Sequence, residues 1–309
     1  MLMRVSLADL RSVEWPHVSV DTVRRTDDSG DRAGLRLDGR AAVVTGSGRG
    51  IGRAIAHGLA AHGAAVVVAD LDEAAGATVA DEITGRDGRA IATRVDVRNA
   101  ESVAAMVDTT VAKWGSVDIL VNNAGVATTQ VVEDTSEADW RRVLDVNLTG
   151  VFLCCQAVLP HMSAQGSGKI VNVASVAAKR ISFNAGASYS ASKAGLLAFT
   201  RHLAYEVAGR GINVNAICPG PTLTPMMAEV ADEETLRVRA RSVPRGRLAE
   251  PDDQLNAVLF LVSDLADMVC GVALDVDGGA LLGWTDTASY FERRRGPAAK
   301  EVPEEERDG

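Results

Sequence analysis

Aromatic side chains are scarce in this sequence: Phe, Trp and Tyr make up 4% of its 309 residues. That weighs against an aromatic-rich β-sandwich and suits tightly packed layers of helix and sheet. Cysteine is scarcer still. Cys154, Cys155, Cys218 and Cys270 form no Cys-x-x-Cys pair and have no histidine at ligand spacing, so neither a disulfide framework nor a metal site is expected. Basic charge is in deficit, with 32 Lys and Arg against 41 Asp and Glu and a net charge of −9. Binding a polyanion needs a continuous cationic surface, and without a basic stripe no nucleic-acid partner is expected. No apolar run approaches the length of a membrane span, and the N-terminus lacks the basic-then-apolar pattern of a signal peptide. The expectation is a cytoplasmic protein without a membrane partner.

What is present is apolar content in a regular alternation. At 47% apolar residues, the chain can bury a sizeable core without staples. Residues 1–36 read as a weakly structured leader, with a polar stretch at 24–32 that has nothing to bury. Residues 284–309 read as a charged, disordered tail, running from Arg293-Arg294-Arg295 to Glu304-Glu305-Glu306 without an apolar period. One domain, 37–283, lies between. Short β-branched runs at 41–45, 65–69, 90–95, 119–122, 169–174, 212–217 and 272–276 alternate with Ala-rich amphipathic stretches. Most of the runs are apolar throughout, as strands covered on both faces should be. The alternation predicts an α/β fold with a seven-stranded, mostly parallel sheet between two layers of helix. Asp72, Ser136 with Asp139, and Pro251 are placed to open helices.

Directly after the first run comes Gly46-Ser47-Gly48-Arg49-Gly50-Ile51-Gly52, leading into a helical stretch. A strand passing through a glycine turn into a helix N-terminus aims unpaired N–H groups and the positive dipole end at one spot, where a pyrophosphate can bind. The G-x-G-x-x-G spacing fails here, but G-x-x-x-G-x-G fits through Gly46, Gly50 and Gly52. Asp70 closes the second strand about twenty residues on, where a carboxylate accepts both ribose hydroxyls and repels a 2′-phosphate. That favours NAD over NADP, with Arg49, a cation close to the phosphate turn, arguing the other way. Further along, Tyr189 and Lys193 stand at i, i+4 on one helix face. A fixed cation beside a phenol favours phenolate, which suits the proton transfer that accompanies hydride transfer.

Together these features resemble the short-chain dehydrogenase/reductase family over roughly residues 37–283. The resemblance rests on the glycine turn, Asp96-Val97 after the third strand, Asn122-Asn123-Ala124-Gly125 after the fourth, Asn147 within a helix, Ser175 after the fifth, Tyr189 with Lys193, and Pro219-Gly220 after the sixth. It implies a Rossmann-type three-layer α/β/α domain and an enzyme that interconverts a secondary alcohol and a ketone with NAD. Tyr189 would be the acid–base, with Lys193 lowering its pKa and holding the nicotinamide ribose. Ser175 would hydrogen-bond the substrate oxygen, and Asn147 would interrupt its helix and hold a water of a proton relay. Gly46, Arg49, Gly50, Ile51, Gly52 and Asp70 would bind the cofactor, Asp96 and Val97 would border the adenine, and Asn123, Ala124 and Gly125 would line the crevice. Pro219, Gly220, Thr222 and Thr224 would face the nicotinamide and its phosphate.

Ser175 and Tyr189 lie one residue further apart than is commonest in the family, which a longer loop over 179–184 accounts for, with Ser182 as the fallback. Met226, Met227 and Val230 would form an apolar wall of a substrate lid. The segment 270–279 resembles a final strand and turn that pack across a subunit interface, implying a homotetramer. Two alternatives stay open: an NADPH-dependent 3-oxoacyl or carbonyl reductase, and a non-catalytic dinucleotide sensor or scaffold.

Overall fold

The computed structural model describes residues 33–182, 184–228, 233–283 and 287–295. The chain divides into Met1–Gly34, of which only Ala33 and Gly34 are described, and Leu35–Gly309, which carries the fold. Seven strands form one sheet: β1 (Ala41–Thr45), β2 (Ala65–Asp70), β3 (Arg89–Arg94), β4 (Ile119–Asn122), β5 (Gly168–Val173), β6 (Ile212–Pro219) and β7 (Ala273–Val276). Their order is β3-β2-β1-β4-β5-β6-β7, and all six pairings are parallel. The order reverses between β1 and β4, so a crevice opens at the carboxyl ends of these two strands.

β1, β4, β5 and β6 are buried throughout, as strands covered on both faces must be. β3 departs from the expected apolar run. As an edge strand it mixes exposed and half-buried positions, which is why Arg89 and Arg94 are tolerated. Two apolar layers flank the sheet. On one face, α1 (Gly50–Ala61), α2 (Glu73–Thr84) and α9 (Pro251–Val262) bury Ile55, Leu59, Val79 and Leu261 against the sheet, α1 and α2 over β1, β2 and β3 and α9 over β5, β6 and β7. On the other, α3 (Ala100–Trp114), α5 (Gly150–Gln165) and α6 (Ala187–Val207) bury Met106, Val158, Met162 and Leu196. Each such aliphatic side chain contributes about 1.5–3 kcal/mol on burial. Between α3 and α5 lies α4 (Glu137–Leu144), and α7 (Pro225–Ala228) and α8 (Glu233–Arg241) lie between β6 and α9.

The caps act as expected, with one variation. Asp72 Oδ1 accepts from Ala75 N at 3.1 Å and Ser136 Oγ from Asp139 N at 3.0 Å. Asp139 replies to the Ser136 hydroxyl, at 2.8 Å, rather than to backbone. Pro251 is the first residue of α9, where its missing N–H costs nothing. Two expectations are corrected. The continuous helical segment Glu137–Gln165 is long and apolar enough to cross a membrane, contrary to the reading that no run approaches a span. It owes this to the side chains it packs into the core, among them Val151, Cys154, Cys155, Val158 and Met162. The tail is not wholly irregular: α10 (Thr287–Arg295) forms within it, with Arg294 and Arg295 lying 5.7 and 5.0 Å from the ring centroids of Tyr290 and Phe291.

Candidate active site

The carboxyl ends of β1, β2, β4, β5 and β6 open into a cavity of about 810 Å³, within the range of cofactor sites. Its floor is the glycine turn. Gly46, at φ +63°, accepts a conformation that side chains rarely adopt, and a Cβ there would sit 2.7 Å from Ala124 Cα. A Cβ on Gly52 would meet Gly46 O at 2.3 Å and Asn123 Nδ2 at 2.4 Å. Asn123 stitches the two strand ends together, its Nδ2 donating to Thr45 O at 3.0 Å and Gly46 O at 2.7 Å. Thr45 Oγ1 answers by accepting from Asn123 N and Ala124 N, both at 3.1 Å. The turn is thereby fixed with the first-turn N–H groups of α1 aimed into the cavity.

One end of the cavity carries Asp70, held at both oxygens. Oδ2 accepts from Gly48 N at 2.7 Å and Oδ1 from Asp72 N at 3.0 Å. The G-x-x-x-G-x-G spacing does not mark Gly48, yet its N–H anchors the carboxylate. Asp96 and Val97 line the same end. Arg49, Gly50 and Ile51 line the middle with Asn123, Ala124 and Gly125, and Pro219, Gly220, Thr222 and Thr224 line the wall after β6. The arrangement fits a dinucleotide: an acceptor for ribose hydroxyls, a glycine turn at a helix N-terminus for the pyrophosphate, and proton-transfer groups at the far end.

That far end holds Ser175, Tyr189 and Lys193. Ser175 follows β5, and its Oγ accepts from Ala177 N at 3.1 Å. Ser182 is not its substitute, because its Oγ is occupied by the turn N–H groups of Asn184 and Ala185 at 3.3 and 3.0 Å. Tyr189 and Lys193 share the first turns of α6, with Nζ 5.7 Å from the ring centroid. The expected lowering of the phenol pKa by Lys193 does not occur. Burial raises the Tyr189 pKa, with hydrogen bonding by Ser175 opposing. The Lys193 ammonium is turned to Val173 O, at 2.7 Å, and burial pushes its pKa down to about 8. Desolvation thus drives both groups toward their neutral forms.

Two expected residues stand behind the cavity rather than on it. Gly52 packs against Gly46 and Asn123, as above. Asn147 is fully buried in a π-helical turn, Asp145–Thr149, which interrupts the helix as expected. Its Oδ1 accepts from Val126 N at 2.8 Å, and its Nδ2 donates to Val126 O at 2.9 Å and Ser192 Oγ at 3.1 Å. Its side chain clamps the backbone that follows Gly125. Cavity residues missed from the sequence include Leu71, Arg98, Val126, Arg142 and Val146. Of these only Arg98 carried a signal, its adjacency to Asp96-Val97. Met227 lines the cavity as the lid reading expects, whereas the Met226 side chain and Val230 lie outside the described residues. Cys154 and Cys155 are buried core thiols, as expected; burial pushes the Cys154 pKa up to about 12.

The sequence profile of a family described as Enoyl-(Acyl carrier protein) reductase matches residues 46–280. The chain is 46% identical over 241 residues to cis-4-hydroxycyclohexanecarboxylate dehydrogenase of Sinomonas cyclohexanicum, covering 78% of this chain and 96% of that protein. Among solved structures, a putative NAD(P)-dependent gluconate 5-dehydrogenase from Beutenbergia cavernae with bound NADP superposes with a TM-score of 0.76 at 41% identity, over 81% of this chain and all of that one. A 7α-hydroxysteroid dehydrogenase complexed with NADH and 7-oxo glycochenodeoxycholic acid gives 0.76 at 39% identity, over 80% and 96%.

Proposed function

The chain belongs to the short-chain dehydrogenase/reductase family, and from that premise we propose that Tyr189 is its acid–base and NAD its preferred cofactor. It is an oxidoreductase that interconverts an alcohol and a ketone by hydride transfer with a nicotinamide dinucleotide. The observation that carries the proposal is a single cavity with a doubly anchored Asp70 at one end and Ser175, Tyr189 and Lys193 at the other.

When bound, the dinucleotide supplies or accepts the hydride. Asp70 holds the adenosine ribose, and the α1 N-terminus at Gly50 and Ile51 holds the pyrophosphate. In reduction, the Tyr189 phenol donates its proton to the substrate oxygen, which Ser175 Oγ also hydrogen-bonds; the raised pKa keeps that proton in place at neutral pH. In oxidation the phenolate takes the hydroxyl proton, so that direction gains with alkaline pH. Lys193 holds the nicotinamide ribose. Asn147 positions the Gly125-Val126 backbone, and its Oδ1 and the Lys193 Nζ converge on Gly125, within 3.4 and 3.6 Å of a Cβ placed there; a relay water at this point remains part of the proposal. The relatives named for hydroxycyclohexanecarboxylate, gluconate and a 7α-hydroxysteroid support a secondary alcohol or its ketone as substrate.

The test is a screen of alcohols at the nicotinamide absorbance band with both cofactors. Wild type is expected to favour NAD over NADP in kcat/KM by about tenfold or more, and Asp70→Ala to bring the ratio close to parity. A ratio near one in wild type would defeat the NAD assignment. A ratio favouring NADP would support the reductase reading, for which Arg49 in the cavity wall speaks. NADH binding without turnover of any alcohol would support the sensor reading.

A cytoplasmic homotetramer completes the proposal. β7 is an unpaired sheet edge on which Leu274 is 38% exposed, with Val272 beside it at 39%, as a surface covered by another subunit would be. Light scattering coupled to size exclusion would remove this assembly by finding monomer alone.

A further inference from the structure

Arg98 lines the adenosine end of the cavity beside Asp96. After β3 the chain turns through Asp96–Asn99, closed by Asn99 N donating to Asp96 O at 3.0 Å. Asn99 then caps α3, its Oδ1 accepting from Ser102 N at 2.9 Å, and Ser102 Oγ accepts from Asp96 N at 3.1 Å. Within this rigid turn Arg98 folds back on Asp96 three times. Its backbone N donates to Oδ1 at 3.0 Å, its Nε to Oδ1 at 2.9 Å and its Nη2 to Oδ2 at 2.6 Å. A carboxylate offers about four acceptor positions. The clamp occupies both on Oδ1 and one on Oδ2, leaving a single acceptor in a fixed direction. Val97, 7% exposed, supplies an apolar edge next to it.

We propose that Arg98 is a positioning residue for adenine recognition, clamping Asp96 so that its one remaining acceptor, on Oδ2, reads the exocyclic amine of the base. The inference rests on the dinucleotide reading of this cavity. The guanidinium has a second effect: it neutralises Asp96, so the carboxylate acts as an oriented acceptor rather than a free charge. A base with a carbonyl in place of the amine sets acceptor against acceptor and is rejected.

The test is calorimetric binding of NADH and of reduced nicotinamide hypoxanthine dinucleotide, in which a carbonyl replaces that amine. Wild type is expected to bind NADH about tenfold more tightly. Arg98→Ala is expected to collapse the ratio toward one, mainly by weakening NADH binding, and Arg98→Lys, which keeps the charge without the two-point clamp, to fall between. A merely structural role would weaken both ligands alike and leave the ratio at its wild-type value; that result overturns the proposal, with thermal unfolding confirming that each variant is folded. Equal affinities in wild type overturn it too, while leaving the cofactor site standing. Failure of wild type to bind either dinucleotide overturns both this inference and the functional reading beneath it.

Discussion

Replacing Tyr189 with Phe is expected to lower kcat about a thousandfold, equivalent to about 4 kcal/mol of barrier, while the Kd for NADH stays within about twofold. The phenol lies in the cavity beside Ser175, and removing its oxygen deletes the group proposed to give its proton to the substrate oxygen. The ring itself survives the change, so its packing on α6 and its 5.7 Å contact with Lys193 are retained. Loss of activity with intact binding is therefore the signature of chemistry rather than folding. Stopped-flow reduction of a ketone by NADH checks this, and a Phe variant retaining more than about a tenth of wild-type turnover contradicts the assignment.

Lys193→Met should separate stability from function. The ammonium is 4% exposed and its pKa is about 8 in the folded chain, against a reference value of 10.5. A folded pKa below the unfolded one means that the unfolded state holds the proton more tightly. The charge therefore destabilises the fold at every pH below about 8, by as much as about 3 kcal/mol. Stability is recovered as pH rises from about 8 toward 10.5, where the group is neutral in both states. Methionine fills similar volume without charge and forfeits only the bond to Val173 O, worth about 1 kcal/mol. The variant is expected to be about 1–3 kcal/mol more stable than wild type at pH 7, with an advantage that vanishes near pH 10, and to lose at least about a hundredfold in kcat. Such an exchange of stability for activity is common where a charge is kept buried for chemistry. Denaturant unfolding at the two pH values measures it, and a less stable Met variant at pH 7 would contradict the account.

The parts of this fold written in local residue types were legible from sequence. The runs that became β1, β4, β5 and β6 are mostly apolar because both faces are covered, with Lys169, Asn172, Asn213 and Asn215 as buried polar exceptions, and each ends in residues that line the cavity, so the strand ends marked the site. Asp72 and Pro251 announced their helices by side-chain chemistry alone. What was not legible depends on partners distant in sequence. β3 is polar because the sheet stops there, which is a property of strand order. Gly52 and Asn147 match motif positions, but their neighbours, Gly46 with Asn123 and Val126 with Ser192, place them behind the cavity wall. The pKa of Tyr189 followed burial rather than its spacing from Lys193, since i, i+4 placement sets a face and not where the ammonium points.

The proposed chemistry stands or falls with one cavity holding a dinucleotide from Asp70 and Asp96 at its adenosine end to Tyr189 at its reactive end. A crystal structure of the NADH complex tests it most directly. The ribose hydroxyls are expected on the Asp70 carboxylate, the pyrophosphate over Gly50 and Ile51, and the nicotinamide between Pro219-Gly220 and the Tyr189 hydroxyl. A dinucleotide bound elsewhere, or lying in the reverse direction with its nicotinamide at Asp70, would contradict it.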